Sequence, residues 1–449
     1  MRTFSIQTLG CKVNQYESEQ MATLLRARGW TQTEAAGAGL RIVHTCAVTT
    51  EAASKSRSAV RRMVKLPVLG GGGAKTVVTG CWATCDCPLA TNIPGVDAVI
   101  TNHENVAARL EGLIEKWSTD PPPKIPALSL PLLGEHQDRQ RAFLKIQDGC
   151  DAHCTYCIIP SLRPSPASKS ITDAVEESKR LVAAGHLEIV LTGIFLGAYG
   201  YPTALRRRQE GKSRRPIRDL IEALCTQVPG LKRLRLSSLE PGDLDDDLLE
   251  TLASFPQVVP HFHLPLQSGS DVILRRMNRQ YRRDDFLRMV DHVRQTFDRP
   301  ALTTDIIVGF PGETDAEFEQ TLDVAKRAEF IHIHAFAFSA RPGTAAARWT
   351  KDFVRGPIVG ERIDQLADLA RQCSYQFRKS FLNEMVQVAV ERNHTSDQQT
   401  RHGRCERYFD VEFADAGRVA TGYLANVRIT DVHQEKTVGI LVDESLNPA

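Results

Sequence analysis

Apolar residues follow two alternating rhythms over most of this chain. Short compact runs read as buried strands: FSIQTLG (4–10), LRIVHT (40–45), KTVVTG (75–80) and DAVIT (97–101). Between them, apolar positions recur every three or four residues, as helices require. These stretches are NQYESEQMATLLRARGW (14–30), EAASKSRSAVRRMVK (51–65) and a segment from about Asn102 to Trp117. Strand–helix alternation predicts an open parallel sheet with crossover helices. The proline-rich STDPPPKIPALSLP (118–131) reads as a linker. A second alternation begins near residue 140. Its strands are FLKIQDG, EIVLTG, LKRLRLSS, FHLPLQ, LTTDIIVGF and HIHAFAFS, separated by helical stretches. Six such units predict a partial (β/α)6 barrel with its site at the carboxyl ends of the strands. A helical pattern over 358–383 follows, and from Met385 the texture changes. MVQVAVER, RYFDVEFA, GYLANVRITDV and TVGILV are short strands in close succession, as in small all-β barrels that bind RNA. The domains so read are 1–117, a linker 118–135, 136–374 and 375–446.

Length agrees with about three domains. Net charge is +2, so contact with a polyanion must rest on local patches. Candidates are LRRRQEGKSRRPIR (205–218), read first as a solvated insertion, and the basic face around Lys55, Arg57, Arg61, Arg62 and Lys65. No apolar run nears the roughly 20 residues of a membrane helix, and the N-terminus has no secretory h-region. A cytoplasmic protein with no membrane partner is the expectation. Its eleven cysteines are then more plausible as metal ligands or catalysts than as disulfides.

The sharpest pattern is Cys150-Asp-Ala-His-Cys154-Thr-Tyr-Cys157, directly after a strand. Three thiolates within eight residues can wrap one corner of a cubane cluster and leave the fourth iron open. The alternative is a structural zinc site with a distant fourth ligand. Cys11, Cys46 and Cys81 form the second pattern. Each follows a strand of the N-terminal sheet, and such strand ends converge on one edge. They can hold a second cluster, or they are three buried inert thiols. Cys85 and Cys87 stand close by in CWATCDC, and one of them could be an alternative ligand. Cys225, Cys373 and Cys405 are isolated and read as ordinary core or surface thiols.

CDAHCTYC in this position resembles the radical S-adenosylmethionine (SAM) superfamily. With the second trio and the terminal barrel, nearly the whole chain is similar to the methylthiotransferase family. RLSSLEP (235–241), HFHLPLQSGSD (261–271), RMNRQY (276–281), TTDIIVGFPGET (303–314) and FSARPGT (338–344) match as well. The resemblance implies an N-terminal methylthiotransferase domain, a radical SAM core and an RNA-binding TRAM barrel. It implies two [4Fe-4S] clusters, one on Cys150, Cys154 and Cys157 that cleaves SAM to a 5′-deoxyadenosyl radical. The auxiliary cluster on Cys11, Cys46 and Cys81 would carry the sulfur that is methylated. A low-potential electron donor such as a flavodoxin or ferredoxin is implied too. TLGCKVNQYESE (8–19) and HTCAVT (44–49) look like the branch that acts at C-2 of N6-threonylcarbamoyladenosine at position 37 of tRNA. Isopentenyladenosine in tRNA and an aspartate of a ribosomal protein are the related substrates. Thr192, Gly193, Ser237, Glu240 and Gln267, at strand ends, are candidates to contact SAM.

Three positions depart from the family pattern. Pro164 and Ala167 stand where glycine and arginine are usual, and Phe195 where asparagine is usual. Arginines 392, 401, 404, 407, 418 and 428 are offset by acids in the terminal barrel, whose Tyr408, Phe409 and Tyr423 could stack on bases or pack inside. A non-catalytic RNA-binding protein with structural zinc is the reading from a different class.

Overall fold

A computed structural model describes residues 2–68, 73–117, 130–136, 140–205, 215–391, 400–414 and 422–447. Its first unit is a parallel sheet of β1 (Thr3–Thr8), β2 (Thr31–Gln32), β3 (Leu40–Thr45), β4 (Lys75–Gly80) and β5 (Ala98–Ile100), in the order β2-β1-β3-β4-β5. Every residue of β3 is buried, as expected for a strand covered on both faces. Neighbouring β1, β3 and β4 all run out at one edge. Gly80 ends β4 at φ +94°, where a Cβ would lie 2.5 Å from Thr45 O. Only glycine fits there, and the chain turns at once into the short helix Cys81–Cys85.

The second unit is the partial barrel. It contains β6 (Arg141–Lys145), β7 (Gln147–Asp148), β8 (Ala167–Ser168), β9 (Glu188–Thr192), β10 (Arg233–Leu236), β11 (His261–His263), β12 (Ala301–Val308) and β13 (His332–Ala337). Two parallel three-stranded sheets, β6-β9-β10 and β11-β12-β13, meet at the Leu234–Val258 bridge. Among the described residues no ladder closes β13 onto β6. The six strands read from periodicity are all present. The helix Gly356–Lys379 covers the outer face of β13. β7 and β8 pair antiparallel beside the loop that begins at Gly149.

The third unit is a closed barrel of β14 (Met385–Val390), β15 (Thr400–Cys405), β16 (Asp410–Ala414), β17 (Leu424–Val432) and β18 (Thr437–Asn447). β15 escapes a periodicity reading because TRHGRC carries almost no apolar residue. Arg141, Glu188, Arg233 and His261 open their strands, so the third unit docks on the end of the barrel opposite the carboxyl ends. Arg235 donates to the fully buried Glu188 at 2.6 Å and to Glu406 O at 3.2 Å. Arg233 donates to Gln387 O and Arg404 O. Tyr408, at φ +73°, stacks on His261 at 4.3 Å with Arg235 and Arg404 against its ring.

Of the two fates open to the terminal barrel's aromatics, packing inside holds for Phe409, a core residue, and for Tyr423, which packs against that core, while Tyr408 is an interdomain plug. Several boundaries need correction. The helix expected from Asn102 starts at Val106, because Asn105 Oδ1 caps it by accepting from Ala108 N at 3.0 Å. The first helix, expected from Asn14, begins at Lys12, one residue after Cys11. Of the linker, residues 118–129 lie outside the described residues; Leu133 is packed in the interior, its N–H donating to Glu177. Most of the basic insertion, 206–214, also lies outside them, as do Arg392 and Arg418.

Burial pushes the Glu188 carboxyl up, but Arg235 and Arg233 outweigh it and hold the group at about 2. Its stabilising share is complete above the ordinary value of 4.5 and is lost as pH falls through about 2. Glu188→Gln removes the nearest carboxylate from two buried guanidinium groups, of which Arg233 keeps only the more distant Glu406, and should cost about 3–5 kcal/mol. Urea titration at neutral pH measures this, and the gap between wild type and variant should shrink from pH 4.5 downward.

Candidate metal centres and the contacts between them

Side chain-to-backbone hydrogen bonds lace the three N-terminal strand-end loops together. Asn14 Nδ2 donates to Leu9 O at 2.9 Å and to Thr45 O at 3.0 Å, joining the Cys11 and Cys46 loops. Thr45 Oγ1 donates to Thr79 O and accepts from Ala83 N, joining the Cys46 and Cys81 loops. Ser56 Oγ holds both backbone polar groups of Cys46, at 2.9 and 3.0 Å. Gly10, at φ +101°, lets the Cys11 loop pass Cys46 so closely that a Cβ would sit 2.9 Å from Cys46 Sγ. Cys11, Cys46 and Cys81 therefore face one another. Burial raises the Cys81 thiol to about 11; Arg163 opposes the rise, while Cys11 and Cys46 add to it.

Cys150, Cys154 and Cys157 also meet, lining a cavity of about 120 Å³ with Tyr156, Glu240 and Arg279. Gly149 starts their loop at φ +73°, where a Cβ would lie 2.1 Å from Ser165 O. Gln147 Nε2 donates to Gly149 O at 2.7 Å, and Cys150 N to Arg163 O at 2.9 Å. Thr155 N donates to Met277 O and Asn278 Nδ2 to His153 O, clamping the loop to the 276–279 turn. Arg279 pairs with Glu240 and donates to Cys154 Sγ at 3.1 Å. Burial first, then Cys154, raises Cys150 and Cys157 to about 12 each.

Thiols gathered this closely resist ionisation without a cationic partner, and metal coordination supplies one. Each trio offers three soft sulfur donors, a set that fits an iron–sulfur cluster. Among the described residues, no three His, Cys, Asp or Glu side chains close around a single metal ion. Cys85 accepts from Arg341 Nη2 at 3.8 Å, and Cys87 lies 3.9 Å from Thr91 Oγ1. Cys225 and Cys405 are core residues, and Cys373 is half-buried.

A buried ion network fixes one trio relative to the other. Arg163 donates through both terminal nitrogens to the two Glu17 oxygens, each at 2.7 Å, and to Asp148 at 2.8 Å. Lys145 donates to Glu17 at 2.7 Å. Burial pushes the Glu17 carboxyl up, but Lys145 and Arg163 hold it well below the usual range. Tyr16, one residue earlier, donates to buried Glu177 at 2.7 Å. The helix after Cys11 is thereby bolted to the barrel that carries Cys150. A larger cavity, about 500 Å³, opens beside Glu17, His44, Lys145 and Arg163.

Of the five strand-end candidates, only Glu240 lines the Cys150 cavity. Ser237 instead accepts from Lys12 Nζ at 3.3 Å. Thr192 ends β9, and its carbonyl accepts from Ile146 N. Gly193 packs on Gln147, where a Cβ would be 3.0 Å away. Gln267, at φ +61°, has its backbone bonded into β12. Of the three departures, Phe195 lines the cavity with Ile194, whereas Pro164 and Ala167 are exposed. Arg279 and the Glu17–Arg163 pair carry much of the geometry. Periodicity missed them, although Arg279 and Glu17 stand in stretches that carry the family resemblance.

Two family models match the chain: one described as Radical SAM superfamily over residues 144–325, and one described as Uncharacterized protein family UPF0004 over residues 3–101. The threonylcarbamoyladenosine tRNA methylthiotransferase MtaB of Thermotoga maritima is 38% identical over 87% of each chain. The protein of that name in Bacillus subtilis is 33% identical over 92% of this chain and 90% of its own. A tRNA-2-methylthio-N(6)-dimethylallyladenosine synthase of Mycobacterium marinum is 35% identical over all of this chain and 88% of its own. The radical SAM methyltransferase TsrM of Kitasatospora setae, with cobalamin and a [4Fe-4S] cluster bound, shares the fold with a TM-score of 0.54 at 14% identity, over 77% of each chain.

Arg163→Met removes the fork and leaves the Glu17 and Asp148 carboxylates to share Lys145. A loss of about 3–5 kcal/mol is expected in denaturant titrations. Arg163→Lys should recover part of it, since lysine keeps the charge without the planar fork.

Proposed function

Since the chain belongs to the radical SAM methylthiotransferases, we propose that it adds a methylthio group at C-2 of N6-threonylcarbamoyladenosine at position 37 of tRNA. The observation that carries the proposal is the pair of cysteine trios, linked through the Glu17–Arg163 contact. Cys150, Cys154 and Cys157 would hold the [4Fe-4S] cluster that engages SAM, and Cys11, Cys46 and Cys81 the auxiliary one. When bound, the clusters and SAM supply the one-electron chemistry that replaces an aromatic hydrogen, together with the sulfur and methyl. An aromatic C–H offers no acidity that a side chain could exploit, so acid–base groups alone do not suffice.

The protein's own residues orient and exclude water. Arg279 faces Cys154 and neutralises Glu240, keeping a single buried carboxylate compensated beside the cavity. Tyr156 and Phe195 give that cavity apolar walls. Arg163 spans from the backbone of Cys150 to the neighbourhood of Cys81 and thus sets the spacing of the two centres. The finer substrate is supported by TLGCKVNQYESE and HTCAVT and by relatives named for threonylcarbamoyladenosine. A second reading, N6-dimethylallyladenosine, is favoured by the relatives that carry its name and match over the full length.

Nucleoside mass spectrometry of tRNA from cells with and without the gene separates the readings. Loss of the 2-methylthio derivative of threonylcarbamoyladenosine alone is expected; loss of the dimethylallyl derivative instead refutes the first reading. Anaerobic reconstitution should give a brown protein with about eight irons per chain. In single-turnover assays Cys154→Ala should lose SAM cleavage while Cys46→Ala keeps it. Equal loss in both contradicts the division of roles.

A further inference from the structure

Among the described residues, one cation beside the Cys11 loop has no carboxylate within pairing distance. Lys12 follows Cys11 directly and starts the first helix. Its ammonium reaches into the barrel and donates to Ser237 Oγ at 3.3 Å. Among the described residues no carboxylate lies within 4 Å of it. The nearby acid, Asp305, faces His263 Nε2 at 3.3 Å. Arg141 and Arg235 add to the positive charge around Lys12. A half-buried ammonium with only a hydroxyl to bond is poorly compensated, and it is suited to receive an anion.

A second observation concerns the unpaired side of the barrel. Ile333 and Ala335 of β13 pack on the core, so His332, His334 and Phe336 point the other way, into the open barrel. Phe336 is 45% exposed, with the His334 ring stacked 6.4 Å away. Val48, two residues after Cys46, is 50% exposed. Its loop is tied to the end of β13 by Thr50 N donating to Ser339 Oγ at 2.9 Å. An exposed aromatic, an exposed aliphatic and a cation thus border the space beside Cys11 and Cys46. A planar base can stack on the first, and an anionic substituent can reach the last.

We infer that Lys12 is a specificity-determining residue: it pairs with the free carboxylate of the substrate's N6 substituent while the base lies against Phe336. The inference rests on the substrate reading proposed above. A neutral substituent would leave the ammonium unpaired, which a polar site penalises strongly.

The test uses full-length reconstituted protein without SAM and anticodon stem–loop RNAs with three forms of adenosine 37. These are threonylcarbamoyl, its methyl ester and isopentenyl. Fluorescence anisotropy gives each Kd. Wild type should bind the acid at least about tenfold more tightly than the ester, the share of one charge-assisted hydrogen bond. Lys12→Gln should bind acid and ester equally, whereas Lys12→Arg should keep the preference. Iron content and thermal melting establish that both variants are intact. Equal wild-type affinity for acid and ester overturns the inference without any variant, and so does undiminished preference in Lys12→Gln. In either case turnover of the threonylcarbamoyl RNA would leave the proposed function standing. Turnover of the isopentenyl RNA alone would overturn both.

Discussion

The bidentate pairing of Arg163 with Glu17 is the constraint on which the arrangement depends. Glu17 belongs to the helix that starts directly after Cys11, and Arg163 lies on the segment that accepts the Cys150 N–H. A planar guanidinium clamped to both oxygens of a carboxylate has little rotational freedom. The pairing therefore fixes an orientation as well as a distance. Breaking it leaves buried charge with fewer partners, Glu17 keeping Lys145 and Arg163 keeping Asp148, so the two halves have a strong reason to stay docked.

The rest of the architecture follows from that contact. The open parallel sheet gathers three cysteines at one edge because β1, β3 and β4 are neighbours. The barrel presents its own trio on the loop after β6, held by Gly149 and by the 276–279 turn. The terminal barrel binds the far end through Glu188, Arg233, Arg235 and Tyr408 and leaves the carboxyl ends free. Relatives that carry out methylthiolation match the chain along most of its length.

Much of this was legible from sequence, for reasons that can be named. Strand-end cysteines and the 150–157 triplet sit beside strong local periodicity, so their convergence follows from topology alone. Arg163 and Glu17 are 146 positions apart, and no local pattern says which acid an arginine will choose. Tyr408 illustrates the same limit: an aromatic in a barrel sequence looks the same whether it faces RNA, a core or a neighbouring domain. β15 was hidden by its polar composition, since edge-to-edge closure holds it rather than an apolar face. Ser237 was placed at the right strand end, yet its partner is Lys12, a choice made across two domains.

The central claim is that each cysteine trio would hold a cluster and that the Arg163–Glu17 contact keeps the two centres close. Electron paramagnetic resonance of the reconstituted, dithionite-reduced protein tests it directly. Two neighbouring reduced clusters should give a spectrum broadened by spin–spin coupling, which simplifies once one trio is removed by Cys11, Cys46 and Cys81→Ala. A wild-type spectrum that is the plain sum of two isolated clusters would contradict the account.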